Sequence, residues 1–190
     1  MKVSIPSASQ TVTDDTFYLT TTWFTFLQSV WRAIRGDLGL SLGGMLSVDT
    51  TPSSNSGTAE TDLISYTLEK NSLTNDSDIL EIDAWGIFAA NVNNKTVKLH
   101  FGSQVILTTG AIAANDGTWS LKAKIIRKTN TTQEIVSEIL SSNTSVSDSA
   151  TRTAGTQDLS TSLVIRCTGT AGASSDITQY ALKINLTPST

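Results

Sequence analysis

Ala90-Asn91-Val92-Asn93-Asn94-Lys95-Thr96-Val97-Lys98-Leu99-His100-Phe101-Gly102, followed by Thr109-Gly110-Ala111-Ile112-Ala113-Ala114-Asn115-Asp116-Gly117-Thr118-Trp119, decides how this chain folds. An Asn-rich turn opens the stretch. Val97, Leu99 and Phe101 then alternate with Thr96, Lys98 and His100. A period of two is the mark of a half-buried β-strand, because successive side chains point to opposite faces. A second turn leads into another strand at Thr118. Working outward, the same pattern predicts strands over 62–68, 79–88, 96–101, 104–109, 118–128, 132–141, 158–168 and 176–186. Between them lie turn residues such as Asn71, Asn75 and Asp76, then Asn115, Asp116 and Gly117, then Gly169 and Gly172. Short strands at regular spacing predict a mainly β fold, an antiparallel β-sandwich over residues 61–190. Strand order is not legible.

The composition agrees. Of 190 residues, 38% are hydrophobic and only 16% charged, too apolar for a disordered chain. The abundance of Thr argues against a helical bundle and for pleated sheet. A net charge of −4 and a pI near 4.9 leave no basic footprint for nucleic acid. Lys122, Lys124, Arg127 and Lys128 form the densest positive group and read as a solvated strand face. No stretch reaches the ~18 apolar residues of a membrane span. The start, Met1 to Pro6, carries no apolar run of signal-peptide type, so the expectation is assembly in a cytosol. The Asn-x-Ser/Thr triplets at Asn75, Asn94, Asn130, Asn143 and Asn185 are accordingly assigned no glycans.

Residues 1–48 read differently. Thr22 is a candidate N-cap, a helix is predicted over about 23–35, and Gly36 stands where a helix ends. Arg32 and Arg35 suit the negative end of its dipole. Trp23, Leu27, Val30 and Ile34 form one stripe, which Phe26 widens; Phe24 and Trp31 form a second. The helix is thus apolar around most of its circumference. That pattern asks for contacts on two sides, supplied either by residues 37–48 folding back over the helix or by sister copies or a foreign surface; in the second case it is an anchor whose interface residues are Trp23, Phe24, Phe26, Leu27, Val30, Trp31 and Ile34. The glycine-rich connector 36–44 lacks the lysine of a phosphate-binding loop. The tract 49–60, rich in Ser, Thr, Gly and Asn, reads as a linker.

Catalytic chemistry finds little purchase. Cys167 falls with Leu163 and Ile165 on an apolar face, and the one histidine, His100, falls on a polar face. A Cys–His nucleophile or a zinc site is therefore not expected. Asp76 and Asp78 read as turn residues, and Glu81 and Asp83 as one strand face. This reading is preferred over an acid–base pair or a calcium site with Asn75. Trp85 and Trp119 read as core anchors rather than sugar-stacking rings. The expectation is a protein without catalytic residues, metal or cofactor.

Residues 62–186 resemble the β-sandwich domain of tailed-bacteriophage virion proteins. The likeness lies in Ile82-Asp83-Ala84-Trp85-Gly86, Asn93 to Gly102, Thr109-Gly110-Ala111, Trp119 and Val164-Ile165-Arg166-Cys167-Thr168-Gly169. Thr22 to Trp31 also resembles the aromatic helix near the start of phage fibre and attachment proteins. The resemblance makes a jelly roll the first choice among sandwiches, and it implies a homotrimeric, non-enzymatic virion protein, a head fibre or capsid decoration. It would be attached to the major capsid protein or another structural protein and exposed on the particle surface. It also implies alternatives: a tail fibre, adaptor or receptor-binding protein. A carbohydrate-binding module, with a host-surface glycan as partner, is the reading from another class.

Overall fold

The computed structural model describes residues 43–113, 115–142 and 149–189, together with Leu27 and Val30. The chain divides into two units, Met1–Leu40 and Ser41–Thr190. The second unit carries eleven strands among its described residues: β1 (Gly44–Asp49), β2 (Ser53–Ser54), β3 (Thr61–Leu68), β4 (Ile79–Ala90), β5 (Lys95–Phe101), β6 (Gln104–Thr108), β7 (Asn115–Arg127), β8 (Gln133–Ser141), β9 (Ser149–Gly155), β10 (Leu163–Ala171) and β11 (Ile177–Thr187).

All pairings between strands are antiparallel. One sheet has the order β1-β11-β4-β7-β8-β9, with β2 also on β11; the other has the order β3-β10-β5-β6. With β2 and the β8–β9 hairpin set aside, the rest interleave as first-eighth-third-sixth and second-seventh-fourth-fifth. That is the order of a jelly roll, two Greek keys folded into facing sheets. The hairpin widens one sheet beyond this frame.

The core lies between the sheets and follows strand parity. Leu80, Ile82 and Ala84 of β4 lie opposite Ile125, Ala123 and Leu121 of β7, Trp119 lies opposite Gly86 with its ring near that of Phe88, and Val97, Leu99, Phe101, Ile165 and Cys167 close the core from the other sheet. Among the described residues Trp119 is the largest fully buried side chain. It fits because residue 86 is glycine: a Cβ there would lie 2.6 Å from the indole and 2.0 Å from the Thr178 carbonyl oxygen. The buried indole N–H donates to the Ile87 carbonyl at 3.2 Å, as a buried tryptophan requires.

Three strands go beyond the sequence reading, for a common reason. β1, β2 and β9 carry no clean apolar alternation, and in β9 every residue but Gly155 is exposed. Backbone ladders to β11 and β8 hold them, and Leu46 of β1 is partly buried against the core. This moves the domain boundary. The tract 49–60, read as a linker, contributes β2 and the buried Asn55. The Asn55 carboxamide donates to the Gly57 and Ala173 carbonyls at 2.8 and 2.7 Å and accepts from Ile177 N–H at 2.9 Å. β10 starts at Leu163 rather than 158, because Asp158 caps a turn by accepting from the Ser160 N–H and hydroxyl.

Candidate functional site

Of the seven predicted interface residues, Leu27 and Val30 are described; both are helical, and Leu27 is exposed. Trp23, Phe24, Phe26, Trp31 and Ile34 lie outside the described residues. Polar and aromatic chemistry in the sandwich collects in three places.

The first is a groove of about 490 Å³ on the outer face of the large sheet. It is lined by Trp85, Tyr180 and Leu140, by the hydroxyls of Thr118, Ser120, Ser141 and Ser142, and by the Trp119 edge. Trp85 was expected in the core; it is 41% exposed. Parity explains this. Trp85 sits two residues beyond Asp83 and four beyond Glu81, so it shares their outward face, while Ala84 and Gly86 point inward. Its cross-strand neighbours are Ala181 and Ser120, too small to cover an indole. Tyr180 occupies the extra position of a β-bulge between Gln179 and Ala181, which turns its ring outward beside Trp85. Two bare rings flanked by hydroxyls form an amphipathic platform.

The second place is on the small sheet. The Thr168 hydroxyl donates to Glu60 Oε1 at 2.7 Å, and His100 Nε2 lies 3.1 Å from Thr168 Oγ1 and 3.5 Å from Glu60 Oε1. Lys98 Nζ closes the cluster on Glu60 Oε2 at 2.6 Å. The arrangement resembles a nucleophile–base pair but runs the wrong way. The Thr168 proton goes to the Glu60 carboxylate, so Nε2–H donates to Thr168 and His100 does not accept from that hydroxyl. Cys167 points to the opposite face, opposite Leu99 in the ladder, while His100 lies opposite Arg166. Burial pushes the Cys167 thiol up to about 12, away from nucleophilic use.

Burial, and then the Arg166 charge, hold the His100 pKa below the ordinary imidazole value; Glu60 opposes this without reversing it. Hydrogen bonds from Lys98 and Thr168 lower Glu60 likewise. For both groups the unfolded chain takes up a proton before the folded chain does. Their contribution is complete above the unfolded values and is lost as pH falls, first near the histidine value of about 6.5. The melting temperature should therefore drop between about pH 7.5 and about pH 5. His100→Gln should flatten that slope; equal slopes in the two proteins would show that His100 does not set it.

The third place holds buried polar groups at loop ends. Asp78, weighed above as a calcium ligand, is fully buried. Its oxygens accept from Thr74 N–H, Asn75 N–H and Ser189 N–H at 2.8, 2.9 and 2.8 Å. Asp76 pairs instead with Arg127 at 2.7 Å. Among the described residues no three His, Cys, Asp or Glu side chains are grouped to hold a metal. Beside β5, Lys95 and Asp176 are buried in a network with Asn91 and Asn93.

Lys122 and Lys124 of β7 and Lys128 just beyond it are matched by carboxylates: Lys122 with Glu138 at 3.6 Å, Lys124 with Glu81 at 3.1 Å and Lys128 with Glu134 at 3.4 Å. Exposed pairs of this kind add little stability, but they neutralise the face. No protein-family model matches this sequence, and no curated protein matches it.

Proposed function

We propose that this chain is a non-enzymatic structural protein of a tailed-phage particle. In this reading it is a homotrimeric head fibre or capsid decoration that docks through its N-terminal segment onto the major capsid protein or another structural protein. The observation that carries the reading is the jelly-roll order of the Ser41–Thr190 unit, preceded in the chain by a separate unit with the aromatic segment 23–34. A jelly roll is shared by capsid proteins and lectins, so it supports but does not single out this role. The neutralised outer face of the large sheet suits a surface-exposed module.

The test is a chain lacking residues 1–40. Removal as far as residue 48 would also strip β1 from β11. The shortened chain should melt cooperatively and fail to sediment with particles that bind the full chain. Retained binding would remove the anchor role. Light scattering on the full chain should give three times the chain mass; a monomer at micromolar concentration would remove the trimer. Electron microscopy of particles separates a head position from a tail position.

A second reading, carbohydrate binding, is favoured by the exposed Trp85 and Tyr180. Sugar rings stack on aromatic faces, and the hydroxyls of Ser120 and Ser141 suit their polar edges. Trp85→Ala should then abolish glycan-array signal while changing the melting temperature little, as a surface substitution within about 0.5 kcal/mol does. Absence of any glycan signal from the native chain would exclude this reading.

A further inference from the structure

The groove on the outer face of the large sheet follows one cross-strand row. Trp85 of β4 lies opposite Ser120 of β7, and Ser120 lies opposite Leu140 of β8. On the other side Tyr180 bulges from β11 beside Trp85. Trp85, Tyr180 and Leu140 stand at 41, 41 and 40% exposure. Neighbouring strands lie about 4.8 Å apart, so the row runs roughly 14 Å across the four strands. Among the described residues the Trp85 indole N–H, the Tyr180 phenol and the Ser120 hydroxyl have no hydrogen-bond partner. The Trp119 N–H, by contrast, is taken up by the Ile87 carbonyl. Thr118 is tied to Ser142, its N–H donating to Ser142 Oγ at 3.0 Å and its hydroxyl lying 2.9 Å from the same atom. One wall of the groove is thus held, while three polar groups beside the bare rings remain open to a ligand.

Charge narrows what that ligand is. Among the described residues no charged side chain lines the groove. The next row along the sheet, Lys183, Asp83, Lys122 and Glu138, alternates in sign. Lys183 pairs with Asp83 at 3.7 Å and Lys122 with Glu138 at 3.6 Å. Each cation at this rim therefore already faces a carboxylate, and the whole chain carries a net charge of −4. An acidic ligand would give up its hydration beside two carboxylates and gain no cation of its own. A peptide is poorly served too. β4 and β7 are laddered on both sides, so an extended backbone finds no sheet edge to join.

We propose that this groove binds an uncharged glycan, a short run of hexopyranose units lying across β11, β4, β7 and β8. The inference rests on the carbohydrate-binding reading and assigns the class of sugar. One pyranose stacks its C–H face on the Trp85 indole, and the chain continues over Ser120 toward Leu140. The sugar hydroxyls, each both donor and acceptor, answer the indole N–H, the Tyr180 phenol and the Ser120 hydroxyl. The row is longer than one ring, so an oligosaccharide fills it better than a single sugar. The paired charges beside it select against sialic acid, uronic acids and sulfate.

The full chain on an array that carries neutral hexose oligosaccharides beside sialylated, uronate-containing and sulfated ones tests this. Signal is expected on the neutral arm alone, stronger for trisaccharides than for monosaccharides, and unchanged when salt is raised. Trp85→Ala should weaken it by about tenfold or more and Ser120→Ala by about fivefold. Glu138→Gln strips Lys122 of its carboxylate beside the groove. That variant should gain acidic glycans while keeping the neutral ones. Binding of acidic glycans by the native chain, lost in Trp85→Ala, would overturn the class assigned and leave the carbohydrate reading standing. Silence on every arm would remove both. A Trp85→Ala chain that binds neutral glycans as the native chain does would overturn the groove as their site. Loss of oligomer mass in Trp85→Ala by light scattering would give the row to a contact between copies and overturn the proposal.

Discussion

Trp119→Ala is expected to destabilise the sandwich by about 3–5 kcal/mol, the range for removing a large aromatic from a packed core. The indole sits between the sheets at 1% exposure, tilted against the Phe88 ring at a centroid distance of 6.4 Å, over the bare backbone of Gly86. Alanine leaves a cavity that its neighbours on β4 cannot fill, because they are held in ladders on both sides. It also frees the Ile87 carbonyl from the indole N–H. For a domain of this size the melting temperature should fall by about 10 °C or more. Gly86→Ala tests the same contact from below. Its Cβ would strike a backbone oxygen as well as the ring, and overpacking of that kind costs about 1–3 kcal/mol or more. In combination the two changes should be less than additive, since the shared contact is lost once. Thermal melts of the single and double variants measure this. A Trp119→Ala protein that melts within a degree or two of the native chain would contradict the packing described.

Asp78→Ala should be the most damaging polar substitution. Its carboxylate joins two segments distant in sequence, the turn at Thr74 and Asn75 and the C-terminal Ser189. The Asp78 N–H and carbonyl also bond to Asn75 and Arg127. Removing the carboxylate leaves three N–H donors without their acceptor, so a loss on the order of 3 kcal/mol is expected. Asp78→Asn should recover only part of it, because one oxygen becomes an NH2 that faces donors. Neither calcium nor a chelator should shift the melting temperature of the native chain, since both oxygens already accept from N–H groups. Urea titration of the three proteins gives the free energies. Equal stability of the native and Asp78→Ala chains would mean that water replaces the carboxylate without cost.

Most of the sandwich was legible because alternation reports burial directly. The run Trp119, Leu121, Ala123, Ile125 announces an inward face, and the structure buries all four. Cys167 was placed correctly on the same ground. The exposure of Trp85 was legible too, since Glu81 and Asp83 share one strand face and Trp85 continues their parity. Lys95 shows the converse: its parity with Val97 pointed inward, and only the carbonyls and carboxylate gathered around it make that burial tolerable. Asn55 gave no signal, because a polar side chain that replaces missing backbone partners looks, in sequence, like any turn residue.

Local pattern by itself determined that this chain makes a β-sandwich, where eight of its strands run, and which faces of them are greasy. Those are properties of neighbouring residues along one strand, where the pleat converts spacing into burial. Tertiary structure alone decided that the strands interleave as a jelly roll, that polar edge strands complete the large sheet, and that Asn91, Lys95 and Asp176 meet. Pairing depends on backbone groups that every residue carries alike, so the choice of partner is made by the packing of the whole core.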